Sequence, residues 1–452
     1  MARPPRAVFV TLLTAGVLAG LVSSAQAAPS TSQSGTGTTA APAVLEPAKP
    51  EGAAPTAAGV QKALVAALSD PSLGKHFGAY VYDASRGKPV FSTGTAKGFV
   101  PASTMKLLTT VSVLEALGPE HRFATKVVRS GNSIILVGGG DPLLVTRRQG
   151  NSLDFPTRAS LQDLAVSTAK ALRADGVSSV TLGYDATLFT GPAANAKWEP
   201  KYLTEGIAAR TSALWVNEGR LASGMAKRAD SPAQAAATAF ATQLKAVGIT
   251  ATGIKPVTAV AGATAIAQVQ SPTLGDLVEY VNLHSDNDGA EVLLRHVGLA
   301  TKNGGSYAGG IAGLRATLTK LGLDVSKARF EDGSGLSRTN LVPLDVLAGA
   351  VRVAAEADKP KLRHLLTGLP VAGFNGSLEQ RFAGPGTATG TGMVRAKTGT
   401  LTSVHSLAGY VRTAAGTLLV FAVATDSAPP AKALDARAAL DRAAAALAAC
   451  GC

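Results

Sequence analysis

Cysteine is almost missing from this chain: Cys450 and Cys452 are the only two in 452 residues. A disulfide framework and a cysteine-rich zinc site are both excluded, so stability has to come from packing. The terminal Cys-Gly-Cys leaves three states open: a small ring, free thiols, or pairing between chains. Aromatic residues make up 5% and histidines number six. Those at 76, 121, 284, 296, 364 and 405 form no H-x-x-x-H pair, so the sequence gives no metal site. Acidic residues are outnumbered, and the formal charge is +13. Setting Arg3 and Arg6 aside leaves about +11, spread without a basic block. With no nucleic-acid motif and few aromatics, that excess reads as attraction to an anionic wall or membrane surface, not as nucleic-acid binding. No run beyond the N-terminal stretch is apolar for the ~20 residues that span a bilayer.

Hydrophobic residues, by contrast, reach 46% and charged ones only 16%, enough for a large core and more than one domain. Residues 1–27 read as a signal peptide. Arg3 and Arg6 precede an apolar run from Ala7 to Leu21, and Ala25-Gln26-Ala27 fits a small-residue cleavage site. Export is therefore expected, to the wall, the periplasm or the medium, with no transmembrane segment in the mature form. Residues 28–57, rich in Ala, Pro, Ser and Thr, lack the apolar side chains that offset ordering entropy and read as a tether.

Periodicity then predicts a helix over Val60–Leu68 and a hairpin over Ala79–Asp83 and Lys88–Ser92. Ser103–Leu117 is apolar nearly all round, as a buried helix is, and Gly118-Pro119 ends it. Between 124 and 268 the texture shifts to short strands and Gly-rich turns, read as an inserted β-rich domain. Helices return over 274–283, 291–300, 308–321 and 343–356. Paired strands follow over 406–413 and 417–425, and an Ala-rich helix over 432–449. The expected architecture is mixed α and β, a mainly antiparallel sheet with helices around it, formed by 58–123 plus 269–449 and split by 124–268.

Three short motifs occur in order: Ser103-Thr104-Met105-Lys106, Ser285-Asp286-Asn287 and Lys397-Thr398-Gly399. Decoys exist for the first two. Ser72-Leu73-Gly74-Lys75 also fits S-x-x-K, but Gly74 disfavours a helix; Ser130-Gly131-Asn132 fits S-x-N inside a hairpin turn. The spacing of the first motif has a chemical reason. Residues three apart share a helix face, so the Lys106 amine lies beside the Ser103 hydroxyl, and the helix start favours alkoxide character there. Lys106 acts as base only when partly neutral, which burial and a second cation, Lys397, promote. Ser285 is placed to relay a proton to the leaving amine, and Asn287 to hold the substrate amide or Lys106. Lys397 and Thr398 suit a substrate carboxylate, and Gly399 allows a substrate backbone to pair alongside the strand. Asp332–Arg338 lacks G-x-S-x-G, so Ser334 reads as part of a structured turn bordering the cleft.

The ordered triple resembles the penicillin-recognising serine enzymes. Val137–Pro142, Asp332–Arg338 and Val404–Tyr410 resemble the D-alanyl-D-alanine carboxypeptidase/endopeptidase family, the class C low-molecular-mass penicillin-binding proteins. The resemblance covers roughly 60 to 445. It implies a β-lactamase/transpeptidase-like domain, an acyl-enzyme on Ser103, hydrolysis of peptidoglycan stem peptides or their cross-links, and β-lactams as acylating inhibitors. It also implies an oxyanion hole from the N–H groups of Ser103 and Thr400. Members carry an acidic and aromatic cluster in the insertion that faces the substrate side chain; Asp185, Trp198, Glu199 and Tyr202 are the candidates. The stretch between the first two motifs is shorter than in members with two extra domains. It is also longer than a compact β-lactamase needs, and no E-x-x-L-N run follows Ser285. A β-lactamase and a non-catalytic wall-binding protein are the alternatives.

Overall fold

The computed structural model describes residues 54–95, 97–150, 155–222, 225–260 and 262–451. The expected signal peptide and all but the last four residues of the expected tether lie outside them. Ala57, the last tether position, already opens the first helix, α1 (Ala57–Leu68), which Thr56 caps through its side chain.

A hairpin of β1 (Phe77–Asp83) and β2 (Lys88–Thr93) follows, then α2 (Met105–Leu117). Every residue of α2 from Met105 to Leu114 is buried, Lys106 included, as expected of an all-round apolar helix. The chain leaves this layer through β3 (Ala124–Ser130), β4 (Ser133–Val137), α3 (Leu161–Ala174) and β5 (Ser179–Asp185). It continues through the single turn α4 (Lys201–Thr204), α5 (Pro232–Ala246), β6 (Thr250–Pro256) and β7 (Ala265–Gln270).

Those strands form one five-stranded sheet in the order β6-β5-β4-β3-β7. β4, β5 and β6 run parallel, which short hairpins cannot achieve, so α3 and α5 serve as the crossovers. Their apolar sides, Leu164, Leu172, Phe240 and Leu244, meet Val127, Ile134, Leu136 and Leu182 of the sheet. The strand-and-turn reading of this stretch holds for its sheet and misses both helices. The Ala-rich α5 has few large apolar residues to mark a helical period, whereas α3 carries one, with Leu161, Leu164 and Leu172 on its buried face, that went unread.

The chain then returns as α6 (Leu274–His284), α7 (Asn287–Ala300), α8 (Tyr307–Lys320), α9 (Leu344–Ala355) and the turn α10 (His364–Thr367). Strands β8 (Val394–Leu401), β9 (Val404–Arg412) and β10 (Leu418–Thr425) and helix α11 (Ala433–Ala449) complete it. Strands from the two ends of this part of the chain make a second sheet, β2-β1-β10-β9-β8, antiparallel at every pairing.

Helices cover that sheet on both faces. Phe421 and Val423 belong to the core shared with α1 and α11, while Val420 and Ala422 turn toward α9 and the core behind it. A strand covered on both sides reads as a continuous apolar run, and β10, LLVFAVAT, does. Cys450, just past α11, is disulfide-bonded. Among the described residues no helix is long and apolar enough to cross a membrane.

Candidate active site

The segment before α2 is held in an uncommon shape. Ala102 has φ of 45°, a region that a non-glycine residue enters only when its surroundings hold it there. Pro101 O accepts from Thr104 Oγ1 and Ser406 Oγ, both at 2.7 Å, which fastens the turn to β9. Gly399 has a role here that the sequence reading did not assign. A Cβ at that position would stand 2.5 Å from Pro101 O and 2.1 Å from Ser406 Oγ. Its missing side chain makes room for the turn that carries Ser103.

Ser103 is half-buried at the opening of α2. Lys106, wholly buried, donates from Nζ to Ser103 Oγ at 3.0 Å, to Asn287 Oδ1 at 2.8 Å and to Ser334 O at 2.9 Å. Three acceptors satisfy an ammonium. A neutral amine keeps two N–H bonds and gains a lone pair, so Asn287 and Ser334 retain their bonds while the Ser103 bond reverses and the hydroxyl donates. The arrangement accommodates both protonation states without moving a heavy atom.

Burial lowers the Lys106 pKa to about 8, against the opposing pull of Asp286, Glu291, Asp332 and Asp288. Of the two causes expected, burial and the cation Lys397, burial leads; it is Lys397 that lies well below its ordinary range, through its own burial and then the charge of Lys106. Burial also pushes the Asp286 and Glu291 carboxyls up.

Asn287 opens α7, with Asp286 as N-cap. Its Nδ2 donates to Ile207 O at 3.0 Å, which turns Oδ1 toward Lys106. Next along the helix, Asp288 accepts from Ala209 N at 2.7 Å and pairs with Arg228 at 2.7 Å. Ser285 occupies the left-handed turn between α6 and α7, with φ of 56°. It lines a cavity of about 290 Å³ with Asn287, Glu218, Arg228 and Tyr280. Its hydroxyl is not one of the three acceptors around Lys106.

On β8, Lys397 is wholly buried and donates to Thr398 O at 3.1 Å. Thr398 Oγ1 donates to Ser377 Oγ at 2.7 Å, and Thr400 is exposed. The N–H of Ala396 faces away from β9, donating to Pro370 O. By the two-residue period of a strand, the amides of Thr398 and Thr400 face the same edge.

The sequence set the Asp332–Arg338 turn beside the cleft but not what it contributes, and Glu291 went unread. Ser334 presents its carbonyl to Lys106 because Glu291 accepts from Gly333 N at 3.0 Å and Ser334 N at 2.8 Å. Asp332 shapes the rest of that turn, accepting from Gly335 N, Ser337 N, Asn340 Nδ2 and Trp198 Nε1 at 2.6–2.9 Å. Glu291 lies four positions after Asn287 on one helix, and that spacing was the available signal. Of the insertion candidates, Trp198, Glu199 and Tyr202 gather near this turn. Arg338 donates to Glu199 at 2.9 Å and, with Lys201, brings its carboxyl down to about 2. Asp185 stands apart, accepting from Thr187 and Ala259 at the end of β5.

A helix-covered antiparallel sheet with a serine–lysine pair at the start of a buried helix, bounded by a Ser-x-Asn turn and a Lys-Thr-Gly strand, defines the penicillin-recognising serine enzymes as a class. The family model of the D-Ala-D-Ala carboxypeptidase 3 (S13) family matches residues 60–230 and 221–447. A carboxypeptidase of Mycobacterium tuberculosis is 34% identical over 407 residues, 88% of this chain and 86% of that one. The D-alanyl-D-alanine carboxypeptidase of an Actinomadura strain is 29% identical over 76% of this chain and 77% of its own. The crystal structure of penicillin binding protein 4 from Haemophilus influenzae superposes with a TM-score of 0.68 at 20% identity, over 85% of this chain and 97% of that one. The chain belongs to the S13 family and is a serine-type D-Ala-D-Ala carboxypeptidase.

Proposed function

We propose that Ser103 is the nucleophile, Lys106 its general base, and the segments around Ser285 and Lys397 the two walls of a cleft for peptidoglycan stem peptides. The observation that carries this reading is the buried amine of Lys106, 3.0 Å from Ser103 Oγ and held by two further acceptors from distant segments. In its neutral form Lys106 takes the Ser103 proton as Oγ attacks the carbonyl carbon. The amides of Ser103 and Thr400 receive the developing oxyanion. The proton passes to the leaving amine, with the Ser285 hydroxyl as the relay, and the C–N bond breaks to leave an ester on Ser103. Water then hydrolyses that ester by the same base. The Lys397-Thr398 strand forms the wall that receives the carboxylate of the departing residue, and Asn287 holds Lys106. A β-lactam enters the same sequence but keeps its leaving amine tethered, so its ester persists.

Residues 124–268 are in this reading an inserted domain that steadies the cleft: Ile207 orients Asn287, and Trp198 bonds to Asp332. Peptidoglycan is the substrate, with cross-link cleavage as a second activity, and its location requires export by the N-terminal segment. Incubation with labelled penicillin followed by peptide mapping tests the core of the proposal. The expected result is one persistent adduct on the peptide bearing Ser103, absent in Ser103→Ala, together with D-alanine release from a stem pentapeptide that vanishes in the same variant. Rapid penicillin turnover without an adduct would instead favour a β-lactamase, and an adduct elsewhere would remove Ser103 from its role.

A further inference from the structure

Lys397 is wholly buried, so the strand wall presents hydroxyls to an incoming carboxylate, with the amine behind them. Thr398 is nearly buried and spends its hydrogen on Ser377 Oγ at 2.7 Å. Ser377 is itself exposed and has its own hydrogen to give. It arrives at this spot by construction. Residues 370–372 run along the outer edge of β8, with Ala396 N donating to Pro370 O and Ala372 N to Val394 O. The chain then folds back through Gly373 and Asn375, whose Oδ1 accepts from Val371 N at 2.8 Å.

The resulting turn, Gly376–Leu378, packs between α6 and β8. Gly376 fits only without a side chain: its φ is 55°, and a Cβ would stand 2.6 Å from Leu283 O. The serine after it is thus set between the end of the helix that leads into Ser285 and the Lys-Thr-Gly strand.

We infer that Ser377 is the donating hydroxyl of the carboxylate subsite. It donates to the carboxylate on the carbon that bears the scissile nitrogen and is supported from behind by the Thr398 hydroxyl. A chain of donors running Thr398 to Ser377 to carboxylate strengthens each bond in it, and a bond to a charged acceptor is the stronger kind. The inference rests on the assignment of Lys397 and Thr398 to carboxylate binding. It deepens that assignment: the leaving residue is selected by its free carboxylate, whether it is a terminal D-alanine or the far side of a cross-link.

The test compares a stem peptide ending in a free carboxylate with the same peptide ending in a carboxamide. Ser377→Ala is expected to reduce the carboxylate-over-carboxamide ratio of kcat/KM by about tenfold, with the loss appearing in KM. Ser377→Thr is expected to restore it. An unchanged ratio in Ser377→Ala, or a loss shared equally by both peptides, overturns the inference. Thr398→Val separates the two ideas. Should it reduce the ratio while Ser377→Ala does not, only the role of Ser377 is lost; should neither variant alter the ratio, the carboxylate assignment itself fails.

Discussion

If Lys106 is the base, acylation of the free enzyme should follow the neutral fraction of one buried amine. With its pKa at about 8, that fraction is roughly 1% at pH 6, 10% at pH 7 and 90% at pH 9. The second-order rate constant for acylation by a fluorescent penicillin is therefore expected to rise about tenfold from pH 7 to pH 9 and to level off above. The sign follows from burial. Desolvation penalises the ammonium, so the working form gains population well below the ordinary lysine range, and it is lost as pH falls. His284, which burial pushes below its ordinary value, lies on the acid side of this window, whereas Asp286 and Glu291, which burial pushes up to about 8, fall inside it, so the Lys106→Met variant is what assigns the rise to the amine. Stopped-flow measurement of kcat/KM reports the free enzyme, the state in which the three bonds to Nζ are seen. Lys106→Met should reduce acylation by about 10²-fold or more and abolish the limb. A rate that stays flat between pH 6.5 and 9, or a limb that persists in Lys106→Met, would refute the role of this amine.

Two further outcomes bear on the surroundings. Asp332 is fully buried and accepts four hydrogen bonds; Asp332→Asn replaces one accepting oxygen by a donor, and each orphaned partner costs about 1–3 kcal/mol. A clear fall in Tm together with slower acylation is expected by thermal unfolding and penicillin labelling, because the same turn presents Ser334 O to Lys106. Behind the other face of the sheet, Arg381 pairs with Asp441 at 2.6 Å with both side chains nearly buried. Asp441→Ala leaves that guanidinium uncompensated and should destabilise by about 3–5 kcal/mol in denaturant titration, while the acylation rate per folded molecule stays the same.

What the sequence disclosed, and what it withheld, divides along the range of the interactions. The helix at Ser103 was legible because its apolar residues run all round, β1 because a turn signal joins it to β2 in a hairpin, and β9 and β10 because their residues alternate like paired strands. The pairing of Ser103 with Lys106 is local, a consequence of three-residue spacing, and needed no knowledge of the fold. Contacts that cross the chain were not legible. Nothing in Ile207 or Ser334 marks a carbonyl as an acceptor for the site, since every residue has one and only the fold decides where it points. The same holds for Gly399. Its sequence context suggested room for a substrate strand and gave no sign of its close neighbours, Pro101 O and Ser406 Oγ.

This division has a chemical meaning. A lysine base must be buried to become neutral, and a buried amine must still have two of its hydrogens accepted. A single helical turn supplies the serine but cannot supply those acceptors, because its own backbone carbonyls are already used in helix bonds. They come from Asn287, steered by the Ile207 carbonyl of the intervening stretch, and from Ser334, set by Glu291. A motif read alone therefore identifies the reactants, while the segments between the motifs determine whether the amine beside the serine is a base or merely a charge.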